Sequence, residues 1–216
     1  MSEYHTSETA AERVEKETTR IEAFSDGVFA IAITLLVLEL RVPHETGAGL
    51  WRALLALWPS YFAFVTSFAT IGIMWLNHHR MFNLIHRTDQ MLLLLNGLLL
   101  LGVTFVPFPT AVVGAYLGRD GQKTAACFMS AVYIGIAIAF NLLWRYASSP
   151  QRTPRLLRVP PDDPRVRAIR DSYRFGPLYY VAALALSMWD GRAGVAANLA
   201  LAVYWSLPPP APAYRT

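Results

Sequence analysis

Three stretches of this sequence carry no charged residue and are each long enough to cross a lipid bilayer: Ala53–Leu76, Gln90–Gly118 and Thr124–Trp144. A span needs about 20 mostly apolar residues, and a segment in hydrocarbon must satisfy its own backbone, so these runs are expected as membrane helices. Three shorter uncharged runs, Gly27–Leu38, Phe175–Trp189 and Ala193–Leu207, hold 12, 15 and 15 residues. The first covers roughly 18 Å of a hydrocarbon core about 30 Å thick, which leaves Asp26 or Glu39 at or near membrane depth. Such a helix faces protein or water rather than lipid. Composition agrees: 54% of the residues are hydrophobic and 16% charged, where a soluble domain carries about a quarter charged. The expected fold class is an all-α membrane protein with six transmembrane helices per subunit.

Six spans put both termini on one side. With that side taken as the inside, 14 Lys and Arg residues fall inside and five (Arg41, Arg52, Arg119, Lys123 and Arg192) outside. The positive-inside rule then predicts a multi-pass protein of the cell membrane with cytoplasmic termini. The net charge of +4 is spread between apolar runs, which points to topology and not to nucleic acid. Residues 1–20 read as a cytoplasmic segment without the basic start of a signal peptide. Residues 21–207 form the transmembrane domain, with a solvated cytoplasmic loop over about 148–170, and 208–216 are a Pro-rich tail. Pro107 and Pro109 are expected to kink the third span or end it early. Asp190-Gly191-Arg192 is a turn signal, so Phe175–Leu207 forms two spans or a re-entrant pair.

The first helix carries the most chemistry. On a wheel of about 100° per residue, Gly27, Ile31, Thr34, Leu35 and Leu38 share one face, and Asp26 lies roughly 140° from Ile31. The carboxylate therefore points away from an apolar face that bears a single hydroxyl. The second span runs inward and ends in Trp75-Leu76-Asn77-His78-His79-Arg80, which brings donors to the depth of Ser25 and Asp26. A buried carboxylate needs such partners. From the residues alone, plain helix packing is the simpler explanation of the apolar face.

Other chemistry finds little footing. His78 and His79 are adjacent and diverge on a helix, whereas two metal ligands on one face need a spacing of three or four. With a single cysteine, Cys127, no intrachain disulfide or cysteine-rich metal cluster can form. The sequence has no G-x-S-x-G nucleophile setting and no phosphate-cradling loop, so neither an enzyme nor a bound cofactor is expected. A proton-coupled secondary transporter, with Asp26 and His78 or His79 as the titrating pair, remains an alternative.

Arg20-x-x-x-Phe24-Ser25-Asp26, running directly into Gly-Val-Phe-Ala-Ile-Ala-Ile-Thr-Leu-Leu-Val-Leu-Glu, resembles the signature of the transmembrane protein 175 family. Trp75-x-Asn77-His78-His79 is similar to the same family. These are potassium channels of endolysosomes, with single-repeat homologues in bacteria and archaea. The resemblance implies a potassium-selective channel, a homotetramer in lipid with helix one of each copy lining a central pore. It further implies a hydrophobic constriction at Ile31, Leu35 and Leu38, a hydroxyl layer at Thr34, and K+ as the only, transient, occupant. Arg20, Phe24, Ser25 and Asp26 would form a structural network with Trp75, Asn77, His78 and His79. The Thr-Val-Gly-Tyr-Gly filter of ordinary potassium channels is absent from the sequence.

Overall fold

The computed structural model describes residues 10–44 and 47–207. The expected start of the N-terminal segment and the Pro-rich tail at 208–216 lie outside that range. α1 covers Ala10–Leu35 and tightens into one 3-10 turn over Leu36–Glu39. It therefore begins ten residues before the expected boundary at residue 20, because the Ala- and Glu-rich stretch before Arg20 is a good helix former. A short α2 (Ala48–Ala56) leads into α3 (Trp58–Phe82), with Pro59 in the first turn, where its missing N–H costs nothing.

The third span is broken, as its prolines require. α4 (Gln90–Phe105) ends at Val106, and α5 (Pro107–Tyr116) restarts immediately. Pro107 and Pro109 cannot donate to the carbonyls four residues earlier, so the ladder lapses there. Asp89 caps α4 by accepting from the Leu92 amide at 2.8 Å. α6 (Gln122–Ala147) starts at Gly121, whose φ of +92° is a left-handed conformation that favours glycine.

α7 (Pro164–Arg174), α8 (Gly176–Trp189) and α9 (Gly191–Ser206) complete the described residues. The Asp190-Gly191 turn is where the sequence placed it, with Asp190 capping α9 through the Ala193 amide at 2.8 Å. The α8–α9 hairpin closes tightly. A Cβ on Gly194 would lie 2.0 Å from the Ser187 hydroxyl, so only glycine fits there.

The protein is an all-helical, multi-pass membrane protein. Four helical stretches, Glu17–Glu39, Trp58–Phe82, Gln90–Tyr116 and Gln122–Ala147, are long and apolar enough to cross a membrane. These four comprise the three long uncharged runs and α1; the two remaining short runs, Phe175–Trp189 and Ala193–Leu207, form α8 and α9. At 14 and 16 residues, α8 and α9 reach only about 21 and 24 Å against a core of about 30 Å. α6 is the hub: it packs against α4, α5, α8 and α9, while α3 packs against α5 and α9. Tyr133, Met129, Leu143 and Trp144 of α6 are all but fully buried. α1 leans on α3 and α4.

The stretch 148–170 is not a solvated loop. Leu156 and Leu157 are buried, Ile85 and Leu157 form an antiparallel bridge, and the Leu156 carbonyl accepts from the amides of His86 and Arg87 at 2.7 and 3.0 Å. Asp89 accepts from both Arg152 and the Tyr146 hydroxyl, and Arg152 lies 3.7 Å from the centroid of the Tyr146 ring. Two leucines and one carboxylate are enough to strap an Arg- and Pro-rich segment onto the turn between α3 and α4.

Candidate functional site

The two sides of α1 differ. Ser25, Phe29 and Ala32 are buried on the side that packs on α3 and α4, and Leu36 in the following turn is buried where that turn meets α3 and α5. Opposite them Gly27, Ala30, Ile31, Thr34 and Leu35 are exposed on the surface of the protomer, and so is Leu38 in the turn that follows. Ile31 is 58% exposed and Leu38 74%. The tightening to 3-10 geometry after Leu35 changes the register, so Leu38 does not continue the α-helical stripe at the same angle. The Thr34 hydroxyl donates to the Ile31 carbonyl at 2.9 Å. Its proton is thereby committed to the helix, and its oxygen lone pairs face outward as acceptors.

On the other side, α1 is fastened to α3 by polar contacts. The Trp75 indole donates to Asp26 Oδ1 at 2.8 Å. One turn away, His79 Nδ1 meets Glu22 Oε1 at 2.9 Å, with the ring stacked on Trp75 at a centroid distance of 6.1 Å. Deeper in, Asn96 of α4 joins the two helices. Its amide nitrogen donates to the Ser25 hydroxyl at 3.0 Å and its oxygen lies 2.9 Å from His78 Nε2. That oxygen can only accept, so His78 carries its proton on Nε2 and its Nδ1 is bare, buried and without a partner. The Ser25 hydroxyl donates to the Ile21 carbonyl at 2.9 Å. The chain of donors therefore runs from His78 through Asn96 and Ser25 to a backbone oxygen. Phe29 and Phe82 enclose the imidazole at 5.3 and 4.2 Å between ring centroids.

Ser25, Asp26, Trp75, His78 and His79 thus meet, whereas Arg20, Phe24 and Asn77 lie elsewhere. Asn77 is two residues past Trp75 and so about 200° around the helix; it lines a cavity of about 50 Å³ between α3, α6 and α9 and accepts from Arg80 at 3.4 Å. Phe24 is 66% exposed, because one step before Ser25 turns the ring about 100° away from the buried side. Arg20 is exposed beside it on a groove between α1 and α4. Sequence reasoning missed Glu22 and Asn96. Asn96 announced itself as the one amide inside a run of leucines. Among the described residues no group of three or more His, Cys, Asp or Glu side chains is placed to hold a metal ion.

The profile of the family described as endosomal/lysosomal potassium channel TMEM175 matches residues 20–107, which contain α1 from Arg20 onward and the whole of α2, α3 and α4. A potassium channel of Chamaesiphon minutus is 51% identical over 197 residues, a match covering 89% of this chain and 95% of that one. The chain belongs to the TMEM175 family. A potassium channel of Streptomyces collinus is 45% identical over 191 residues, covering 88% of this chain and 91% of the relative. The crystal structure of a lysosomal potassium-selective channel TMEM175 homologue from Chamaesiphon minutus superposes with a TM-score of 0.80 at 49% identity, over 88% of this chain and 97% of the other. The TMEM175 match extends past the profile to the helices after α4, where the sequence offered only general hydropathy.

Proposed function

We propose that this chain is a potassium channel in which α1 from each of four copies lines a central pore. The supporting observation is the division of α1: its carboxylates are fastened to α3, while Ile31, Thr34 and Leu35 form an exposed stripe without a partner in the protomer. A stripe of this kind on a helix whose other side is held to α3 and α4 by polar contacts is suited to face other copies around an axis. Close relatives are named potassium channels, which gives the axis its cargo.

Rings of Ile31 and Leu35, with Leu38 beyond them, would gate by dewetting, and a ring narrow enough to strip water from an ion disfavours sodium, which holds its hydration more tightly. Thr34 oxygens, four in a layer, would return some of the lost coordination to a bare K+. The ion passes through and no resident cofactor is required. The lysine and arginine count supports a cell-membrane protein with both termini in the cytoplasm. The short α8–α9 hairpin would cross by local thinning of the bilayer around it, giving six spans.

The coupled-carrier reading loses its titrating pair. Asp26 is bonded to Trp75, His78 to Asn96, and His79 to Glu22, so the groups that would exchange a proton are each engaged separately. Recording from the purified protein in planar bilayers under opposed potassium and sodium gradients tests the proposal. A channel gives unitary current steps and a reversal potential displaced toward potassium. Saturable flux without unitary steps, dependent on a proton gradient, would reject it.

A further inference from the structure

Between the end of α6 and α7 lies a cleft of about 420 Å³ lined by none of the α1 residues, with Arg145, Arg170 and Arg174 on its wall and one carboxylate, Asp171. Elsewhere in this region arginines are matched: Arg152 with Asp89 and Arg165 with Asp163. Among the described residues the three cleft arginines have no carboxylate within ion-pair distance. Arg170 donates only to the Ser148 carbonyl, at 3.3 Å, and the Arg174 guanidinium sits 5.4 Å from the centroid of the Phe175 ring.

A second observation is independent of charge. Trp144 is 1% exposed, forms part of the same wall, and its indole N–H is buried without an acceptor. A buried donor with no partner is costly and uncommon. The cleft therefore gathers guanidinium donors, with Trp144 and the hydroxyls of Ser148 and Ser149 in the same wall, and offers few acceptors to match. The complementary ligand is an anion rich in oxygen, and the planar fork of arginine fits phosphate in particular.

The position fits the same chemistry. Arg145 lies in the last turn of the span Gln122–Ala147, at the depth where phospholipid headgroups begin. α7 buries Val166, Ile169 and Tyr173 and brings Arg170 and Arg174 to the same cleft as Arg145. Basic pockets at the cytoplasmic mouths of membrane helices take anionic headgroups in this way. We propose that this cleft binds a phosphate group, carried by an anionic phospholipid or free in solution.

The full chain in mild detergent is titrated with short-chain phosphatidylglycerol, with phosphatidylcholine of the same chain length, and with inorganic phosphate, and its melting temperature is followed. Saturable stabilisation by phosphatidylglycerol and not by phosphatidylcholine assigns the site to a lipid. Saturation by inorganic phosphate alone assigns it to the free anion; both uphold the phosphate site. Arg145→Gln combined with Arg174→Gln leaves the Arg170 bond to Ser148 in place and should weaken the apparent affinity about thirtyfold, since each arginine near the surface contributes about a factor of five. Asp171→Asn, which removes the repelling carboxylate, should strengthen it severalfold, and this variant decides the matter if the double variant does not fold. No saturable response to any of the three, an unchanged affinity in the double variant, or no gain from Asp171→Asn overturns the proposal.

Discussion

Asn96 holds three helices together with one side chain: its amide reaches Ser25 on α1 and its oxygen reaches His78 on α3. Replacing it with Leu keeps the branched shape at a larger volume and removes both bonds, leaving the Ser25 oxygen without a donor and the His78 N–H without an acceptor in a buried site. Each orphaned buried group costs about 1–3 kcal/mol. Asn96→Leu should therefore lower the melting temperature in detergent markedly, and Ser25→Ala, which removes only one end, should do less; equal losses would contradict this arrangement. At Asp26 the expectation concerns stability and not ion choice, because the carboxylate is turned toward Trp75. Asp26→Ala and Trp75→Phe should each destabilise by a similar amount and the pair should not add, since they share one bond. A normally melting Asp26→Ala with an altered potassium-to-sodium ratio would reverse that assignment. Much of this site was legible in the sequence, since a carboxylate at membrane depth demands donors and topology supplies Trp75 at the right height. What the sequence hid was the third helix. Asn96 stands out in its leucine run, but its partners are set by which helices pack side by side, and hydropathy does not record that.

At the scale of the helices, α1 is the element whose two sides make opposite claims. Ile31 is exposed on the free side, while Ile33 packs on the core. Ile31→Asn should thus leave the melting temperature close to that of the parent, raise current and weaken discrimination against sodium, because a polar ring stays wet. Ile33→Asn should do the reverse: it buries an amide without a partner, at a cost of about 1–3 kcal/mol, and should leave the permeability ratio unchanged. Reversal potentials for both variants measured with their melting curves give the answer, and similar behaviour of the two would end the assignment of α1 to the pore. The long spans and the kink at Val106 follow directly from the run lengths and from two prolines. The strap at 148–163 did not, since its arginines dominate any average. The informative residues were Leu156 and Leu157, two apolar neighbours whose partner Ile85 lies far away in sequence, and Asp89, which serves as a helix cap and as an anchor for Arg152 and Tyr146 at once. Asp89→Ala should release this strap, seen as faster proteolysis between Ser149 and Arg158 together with a loss of about 1–3 kcal/mol in stability.

For the whole molecule, the question is which surface meets lipid and which meets another copy. A protomer of 24.1 kDa leaves one side of α1 exposed, with Ile31 and Leu38 open on it, and four copies around α1 would cover it. The groove of about 510 Å³ between α1 and α4, edged by Arg20, Phe24, Leu93 and Gly97, adjoins that free side. If copies meet along α1, a neighbour's side chains enter this groove, and Phe24, exposed in the single protomer, is covered in the assembly. Gly97 offers a clean probe, because a Cβ built there has nothing within 4 Å in the protomer. Gly97→Ala should be tolerated and even stabilise the helix by about 0.5–1 kcal/mol through lower chain entropy. Gly97→Phe should leave the protomer folded but fill the groove, and its effect then depends only on what lies opposite. With a neighbouring copy there, the protein mass in mild detergent falls from four times that of the chain to a smaller assembly, and bilayer current is lost with it. With lipid there, a phenylalanine is as welcome as the leucines around it, so mass and current stay as in the parent. Native mass measurement of the two glycine variants, each paired with its melting curve to show an intact protomer, decides between those surfaces; a tetramer preserved in Gly97→Phe removes this groove from the interface.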